Sequence, residues 1–83
     1  MTAAHKAKIT YCAECGYEQQ TLDLAKALML EFCSRLSGIE LIPWEGGTFD
    51  VSVDGQLIHS MTRDGGFPKH AAIADAVRGR LSA

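Results

Sequence analysis

The feature that most constrains the fold is a long amphipathic segment between two short strand patterns. From residue 22 to residue 36 the apolar side chains recur at spacings of three and four, as on one face of a helix. Residues 8–11 before it and 39–42 after it carry the β-branched and apolar side chains typical of strands. A strand, a helix and a strand with short joints predict a right-handed βαβ unit with parallel strands.

The sequence also predicts where the helix and the second strand end, and which side chains form the apolar face of the helix. Ser37 and Gly38 are expected to terminate the helix, with Gly38 as the left-handed residue just after it. Pro43 is expected to close the second strand, so that residues 43–47 form a loop. The apolar face predicted for the helix comprises Leu22, Ala25, Leu28, Met29, Phe32, Cys33 and Leu36.

A β-hairpin is predicted next. Residues 48–53 alternate between polar and apolar, and Asp54-Gly55 is a two-residue turn signal that brings back residues 56–61 as a strand. Such a turn sets the register of the two strands. The expected pairs are Val53 with Gln56, Ser52 with Leu57, Val51 with Ile58, and Asp50 with His59.

A second helix is expected to close the chain. Residues 62–66 predict a loop, and Phe67-Pro68 predicts the helix start, because proline suits the first turn. Its apolar stripe comprises His70, Ile73, Ala74, Val77 and Leu81. The predicted fold is α/β (α+β), β-α-β-β-β-α, with a four-stranded mixed sheet and two helices on one face. The other face is left open, and the residues expected on it include Asp50, Ser52, Leu57 and His59.

Composition narrows the class of protein. The 83 residues predict one domain spanning 1–83, and 47% hydrophobic residues with 22% charged residues are ordinary for a globular protein. A formal charge of −2 without a basic cluster argues against nucleic-acid binding. No apolar run approaches the roughly 20 residues of a membrane helix, and the N-terminal residues lack the apolar core of a signal peptide. We therefore expect no membrane association and a cytoplasmic location.

Cys12 and Cys15 form a Cys-x-x-Cys pair between the first strand and the first helix. At this spacing two thiols can close a small disulfide ring or share a metal ion. The N–H groups at the start of the following helix would favour the thiolate form. Three cysteines are an odd number, which suits a reactive or metal-binding site in a reducing compartment better than a secreted disulfide scaffold.

A zinc site is the main alternative for this pair. Structural zinc takes four ligands, so the pair would need two more side chains. The candidates are Cys33, His5, His59 and His70, of which Cys33 lies on the predicted apolar face and the histidines are scattered over the chain. A strand-to-helix corner within a βαβ unit is, in contrast, where thioredoxin-like proteins keep a redox dithiol. We therefore favour a redox pair with no metal and no bound cofactor.

The sequence resembles a known family at several separated motifs. The residues that carry the resemblance are Tyr11-Cys12-x-x-Cys15-Gly16-Tyr17, Gly47-x-Phe49-x-Val51 and Gly55-x-Leu57-Ile58-His59-Ser60. They look like the selenoprotein W-like (Rdx) family of small thioredoxin-like proteins, over nearly the whole chain. The resemblance implies a shortened thioredoxin-like fold and thiol-based redox chemistry linked to glutathione.

The resemblance leaves the order of attack open. Animal members of the family carry selenocysteine at the position of Cys15, which would make Cys15 the attacking atom and Cys12 the resolving one. Thioredoxins suggest the reverse order. Thioredoxins also place a cis-proline before the hairpin, where this chain has Gly46-Gly47, so we do not give Pro43 that role. The loop from Trp44 to Thr48 is expected to approach the sulfurs instead, with the glycines permitting close backbone contact.

Two functions remain open at this level. One is a thiol-disulfide oxidoreductase that exchanges with glutathione or with protein thiols and disulfides. The other is a redox-responsive protein-interaction module, in which the same pair switches state without turnover. Cys33 is expected to be a buried small apolar residue rather than a third redox centre.

Overall fold

The computed structural model describes residues 5–82 of the chain. Its sheet contains four strands in the order β2-β1-β3-β4. In chain order the elements are β1 (Lys6–Cys12), α1 (Glu18–Phe32), a 3-10 turn (Cys33–Arg35), β2 (Gly38–Trp44), β3 (Phe49–Val53), β4 (Gln56–Ser60), α2 (Met61–Asp64) and α3 (His70–Ser82).

The strand directions follow from the connections. β1 pairs with β2 in parallel, as the intervening helix requires, and β3 pairs antiparallel with both β1 and β4. The predicted mixed sheet is confirmed. β1 is an inner strand, so its last residue, Cys12, lies between the ends of two neighbours.

The two longer helices lie on one face of this sheet, as expected. Side chains from α1, α3, β1 and β3 join in one apolar cluster. On the strands these are alternate residues, because successive side chains point to opposite faces. The largest fully buried side chains include Phe32, Phe49, Ile9, Leu24, Leu28, Ile73 and Val51. The opposite face carries Lys8, Thr10, Ser52 and Leu57, all half-buried or exposed.

The predicted buried face of α1 is wrong at several positions. Leu22 is 55% exposed and Met29 61% exposed. The helix contacts β1 and α3, and its buried face is turned towards Thr21 and Leu24 instead. Thr21 is buried without penalty because its hydroxyl donates a hydrogen bond of 2.9 Å to the carbonyl of Tyr17.

The predicted end of α1 is also wrong. The helix stops at Phe32, and Cys33 rather than Gly38 takes the positive φ, at 47°. Gly38 is the first residue of β2. Just before it, the backbone N–H and the hydroxyl of Ser37 both donate to the carbonyl of His5, at 2.7 and 2.9 Å. These bonds align the start of β2 with the start of β1.

Pro43 does not close the second strand. β2 continues through Pro43 to Trp44, and Pro43 pairs with Tyr11. The sheet tolerates this proline because β2 is an edge strand, where a missing N–H can face away from the neighbouring strand. The consequence is that Trp44 stands opposite Cys12.

The predicted hairpin register holds at the turn and fails beyond it. Val53 pairs with Gln56 and Ser52 with Leu57 as expected, but the register then shifts and Val51 pairs with His59. Ile58 is the extra residue of this bulge, and it packs against the core. The expected pairs of Val51 with Ile58 and Asp50 with His59 are therefore wrong.

His59 consequently lies on the helix side of the sheet and not on the open face. Its Nε2–H donates to the carbonyl of Gly66 at 3.0 Å, and its Nδ1 lies 3.6 Å from a carboxylate oxygen of Asp64. The segment predicted as a loop after β4 forms the short helix α2. The last helix starts at His70, two residues after the expected proline.

The helices of the described residues are not suited to cross a membrane. Within residues 5–82, none of them combines the length and the apolar character that a bilayer span demands.

Candidate redox site

Cys12 and Cys15 are joined as a disulfide, with their Cα atoms 5.3 Å apart. That separation lies within the usual range for disulfides. The two cysteines differ sharply in accessibility. Cys12, the last residue of β1, is 0% exposed, whereas Cys15 is exposed. Solvent therefore reaches Cys15 and is kept from Cys12.

The backbone of the motif folds into a compact turn that leads into α1. The N–H of Gly16 donates to the carbonyl of Ala13 at 3.2 Å, and the N–H of Tyr17 donates to that of Cys12 at 3.4 Å. Gly16 has a φ of +77°, a conformation that residues with a Cβ rarely adopt. This glycine lets the chain turn tightly enough for the sulfurs to meet, and α1 begins three residues after Cys15.

Trp44 contacts the motif from another element. It pairs with Cys12 across β1 and β2, and its carbonyl accepts a hydrogen bond of 2.9 Å from the N–H of Ala13 inside the disulfide ring. Trp44, as the last residue of β2, therefore reaches the motif through its backbone, and the approach of the loop to the sulfurs stays a prediction. The indole side chain is 61% exposed.

The two loop glycines have a different role from the one predicted. A Cβ added to Gly46 or Gly47 would meet no atom within 4 Å, so neither allows a close backbone approach. Both have positive φ, at +76° and +73°, and the turn they form is closed by a bond from the Thr48 hydroxyl to the Glu45 carbonyl at 2.8 Å. They bend the chain from β2 into β3.

An open groove lies beside the disulfide ring. We name it the Trp44 groove. It has a volume of about 410 Å³ and is lined by Ala13, Glu14, Pro43, Trp44 and Glu45. Ala13 and Glu14 are the two residues between the cysteines, so anything bound in this groove would touch the ring.

On the other side of the motif, three aromatic rings pack edge to face. The ring of Phe67 lies 4.8 Å from that of Tyr17 and 5.1 Å from that of Phe49. Phe49 is buried in the core, and Tyr17 directly precedes α1. Phe67 thus ties the motif to the sheet, which the sequence did not reveal because these residues are 18 to 50 positions apart in the chain.

Cys33 is exposed, so its predicted burial is wrong. The early end of α1 turns it towards solvent, with its sulfur 3.7 Å from the carbonyl of Leu30. It borders an open groove of about 450 Å³ together with Met29, Leu36, Gly38 and Ile39. The structure does not bring it to the Cys12–Cys15 pair.

The candidate zinc ligands are also apart from the motif. His5 lies at the other end of β1, with its Nδ1 2.6 Å from a carboxylate oxygen of Asp54. His70 is exposed at the start of α3. Among residues 5–82 no group of three or more histidine, cysteine or acidic side chains is placed to hold a metal ion.

The model of the Rdx family matches residues 6–79, which contain every strand and most of α3. This chain belongs to the Rdx family.

Curated relatives agree with that assignment. The Rdx chain is 38% identical over 72 residues to "Migration and invasion enhancer 1" of Mus musculus, a match that covers 84% of this chain and 59% of that protein. It is 39% identical over 61 residues to "Selenoprotein W" of Macaca mulatta, covering 72% of this chain and 70% of that protein. The chain thus spans less than two thirds of the length of the first of these relatives.

Solved structures confirm the thioredoxin-like fold. A selenoprotein W-related protein from Vibrio cholerae superposes with a TM-score of 0.90 at 26% identity, covering 93% of this chain and 96% of that chain. A protein from Bordetella parapertussis superposes with a TM-score of 0.89 at 28% identity, covering 92% and 96%. Each superposition covers more than nine tenths of the Rdx chain, so the fold is shared over nearly its whole length.

Proposed function

We propose that this Rdx chain is a thiol-disulfide exchange protein in which Cys15 attacks and Cys12 resolves. The observation that carries the proposal is the unequal burial of the two bonded cysteines, with Cys12 0% exposed and Cys15 exposed. An attacking thiolate needs access to the partner disulfide, whereas a resolving thiol needs access only to its neighbour. The family and the bonded pair support redox chemistry, and the burial supports this order.

The exchange conserves electrons and protons. In the reduced protein, the thiolate of Cys15 attacks one sulfur of a substrate disulfide, forms a mixed disulfide and releases the first substrate thiolate. The thiolate of Cys12 then attacks the sulfur of Cys15, which closes the Cys12–Cys15 bond and releases the second substrate thiolate. Two electrons pass from the protein to the substrate. Two molecules of glutathione would restore the dithiol and leave as glutathione disulfide.

Trapping the mixed disulfide tests the order of attack. With Cys12→Ser, the reduced protein should accumulate a covalent adduct with a disulfide substrate through Cys15, because no resolving thiol remains. With Cys15→Ser, adduct formation should fall at least tenfold, because the remaining thiol is buried. A Cys33→Ser background removes the third thiol. Intact-mass spectrometry reads the adduct, and a dominant adduct on Cys12 would contradict the assignment.

A turnover assay separates this function from a redox-responsive interaction module. Glutathione-dependent reduction of a disulfide that is lost in both cysteine variants supports exchange. If the bonded and open forms instead differ in capturing a protein partner and show no turnover, the pair acts as a switch.

A further inference from the structure

We propose that the Trp44 groove selects polypeptide disulfides that carry a lysine or arginine next to the reacting cysteine. The proposal rests on the exchange function above and names its substrate class. The groove adjoins the disulfide ring and is mostly apolar, with an exposed indole on one wall. Its volume of about 410 Å³ accommodates one or two side chains of an extended segment.

The charge of the groove indicates which side chains these are. Its two ionisable lining residues, Glu14 and Glu45, are both acidic and both exposed. Within the described chain neither is ion-paired with a basic side chain, and the groove lining contains no lysine or arginine. Two carboxylates without a neutralising partner attract a cation and repel an anion.

Trp44 adds a second reason for a cation. The face of an indole is the strongest aromatic partner for an ammonium or guanidinium group. Trp44 is 61% exposed although a side chain of its size is more often covered, so its ring is available to a ligand. The backbone of Trp44 is held against the Cys12–Cys15 turn by the bond from the Ala13 N–H at 2.9 Å, and its side chain lines the groove together with Ala13 and Glu14.

The same charges make a small anionic disulfide a poorer partner. Glutathione disulfide carries four carboxylates and two ammonium groups, so its net negative charge is repelled by both glutamates. A polypeptide with a basic residue beside its cysteine matches the groove in charge and in shape. Glu14 is itself one of the residues between the two cysteines, so a cation that pairs with it is brought close to the sulfur of Cys15.

Matched peptides test the selection. Three peptides of equal length carry one cysteine as a mixed disulfide with 2-nitro-5-thiobenzoate and differ only in the flanking residue, which is arginine, glutamine or glutamate. The release of the coloured thiolate gives the rate of attack by the reduced protein. Dithiothreitol, an uncharged dithiol, gives the intrinsic reactivity of each peptide. After that correction we expect the arginine peptide to react about tenfold faster than the glutamate peptide at low salt. At 1 M salt the ratio should approach one, since the Debye length is then about 3 Å.

Charge-neutral variants locate the effect. Glu14→Gln and Glu45→Gln should each reduce the preference for arginine by about threefold, which is what an exposed charge pair supplies. Glu40→Gln removes the same charge from an exposed position on β2 that does not line the groove, and it should retain the full preference. Using the ratio between peptides cancels any change in the reactivity of the attacking thiol.

A binding measurement tests charge selection by the groove independently of disulfide exchange. The oxidised protein is titrated with the same peptides carrying serine in place of cysteine, and the fluorescence of Trp44, the one tryptophan, is followed. The arginine peptide should change it at lower concentration than the glutamate peptide. The proposed selection is overturned if the arginine and glutamate peptides exchange at equal corrected rates, or if the fluorescence of Trp44 responds equally to both. If the fluorescence of Trp44 depends on peptide charge but no exchange occurs, the proposed function is overturned, whereas charge-selective binding in the groove is supported.

Discussion

Opening the Cys12–Cys15 bond should lower the free energy of unfolding by a predictable amount. The bond closes a ring of only four residues, from Cys12 to Cys15. In the chain-entropy description, a ring of that size restricts the unfolded chain by about 2 kcal/mol at 25 °C. Little else should change on reduction, because Cys12 is 0% exposed and a thiol there remains a small buried apolar group.

Urea denaturation followed by far-UV circular dichroism measures this difference. Small proteins lose about 1–3 kcal/mol of stability per molar urea, so the midpoint of the reduced form should lie roughly 1–2 M below that of the oxidised form. Far-UV circular dichroism is preferable to fluorescence because Trp44 adjoins the bond and responds to it locally. The slopes should be equal, since the folded forms bury the same surface.

Matched variants control for the reductant and for the third thiol. Cys33→Ser serves as background, because Cys33 is exposed and outside the ring. In that background Cys15→Ser opens the ring without reductant and should show the same loss of about 2 kcal/mol. Coincident midpoints would refute the ring-closure argument. A loss above about 4 kcal/mol would show that the bond holds the core together, which the burial pattern does not require.

Three further outcomes follow from single residues. Leu28→Ala should cost about 2–5 kcal/mol and Met29→Ala less than about 0.5 kcal/mol, because the first side chain is 1% exposed and the second 61%; thermal unfolding compares them. The fluorescence of Trp44 should rise on reduction, because the adjacent disulfide quenches it; emission spectra of both forms test this. The hydrogen bonds from Arg63 lower the pKa of Asp64 from 3.8 to about 2. Its ionised form therefore stabilises the fold fully above pH 3.8, and that contribution disappears as pH falls through about 2; carboxyl ¹³C NMR titration locates the midpoint.

Each of these outcomes can fail separately. Equal costs at Leu28 and Met29 would mean that α1 turns the originally predicted face to the sheet. Identical emission from both redox forms would place the indole away from the sulfurs. If Asp64 titrates near pH 3.8 and Arg63→Gln does not change that midpoint, Arg63 does not lower the pKa of Asp64. A higher midpoint in the variant than in the wild type supports the ion pair.

Local patterns were sufficient where each residue's neighbours in the chain decide its state. The parallel β1–β2 pair follows from the intervening helix, and the Asp54-Gly55 turn correctly sets its two adjacent pairs. The pattern failed one step further, at Ile58. A bulge is favoured by what packs on either side of the strand, and in the folded protein Ile58 meets the core while His59 meets Gly66 and Asp64.

The helix shows the same limit. Spacings of three and four identify a helix with an apolar side, but Leu22 and Met29 satisfy that spacing as well as Leu24 does. The choice depends on where α1 rests, and it contacts β1 and α3. Cys33 was misplaced for this reason, since its exposure follows from the early end of the helix and not from its own chemistry.

The amino-acid order alone determined that this chain makes a mixed sheet with its cysteine pair at a strand-to-helix corner, because hydrophobic periodicity, turn residues and motif spacing are properties of neighbouring residues. Tertiary structure alone decided which sulfur is covered, that Trp44 stands beside the pair, and that Phe67 links Tyr17 to Phe49. Those relations join residues far apart in the chain. Their positions are fixed only when the strands pair and the helices bury their apolar sides together.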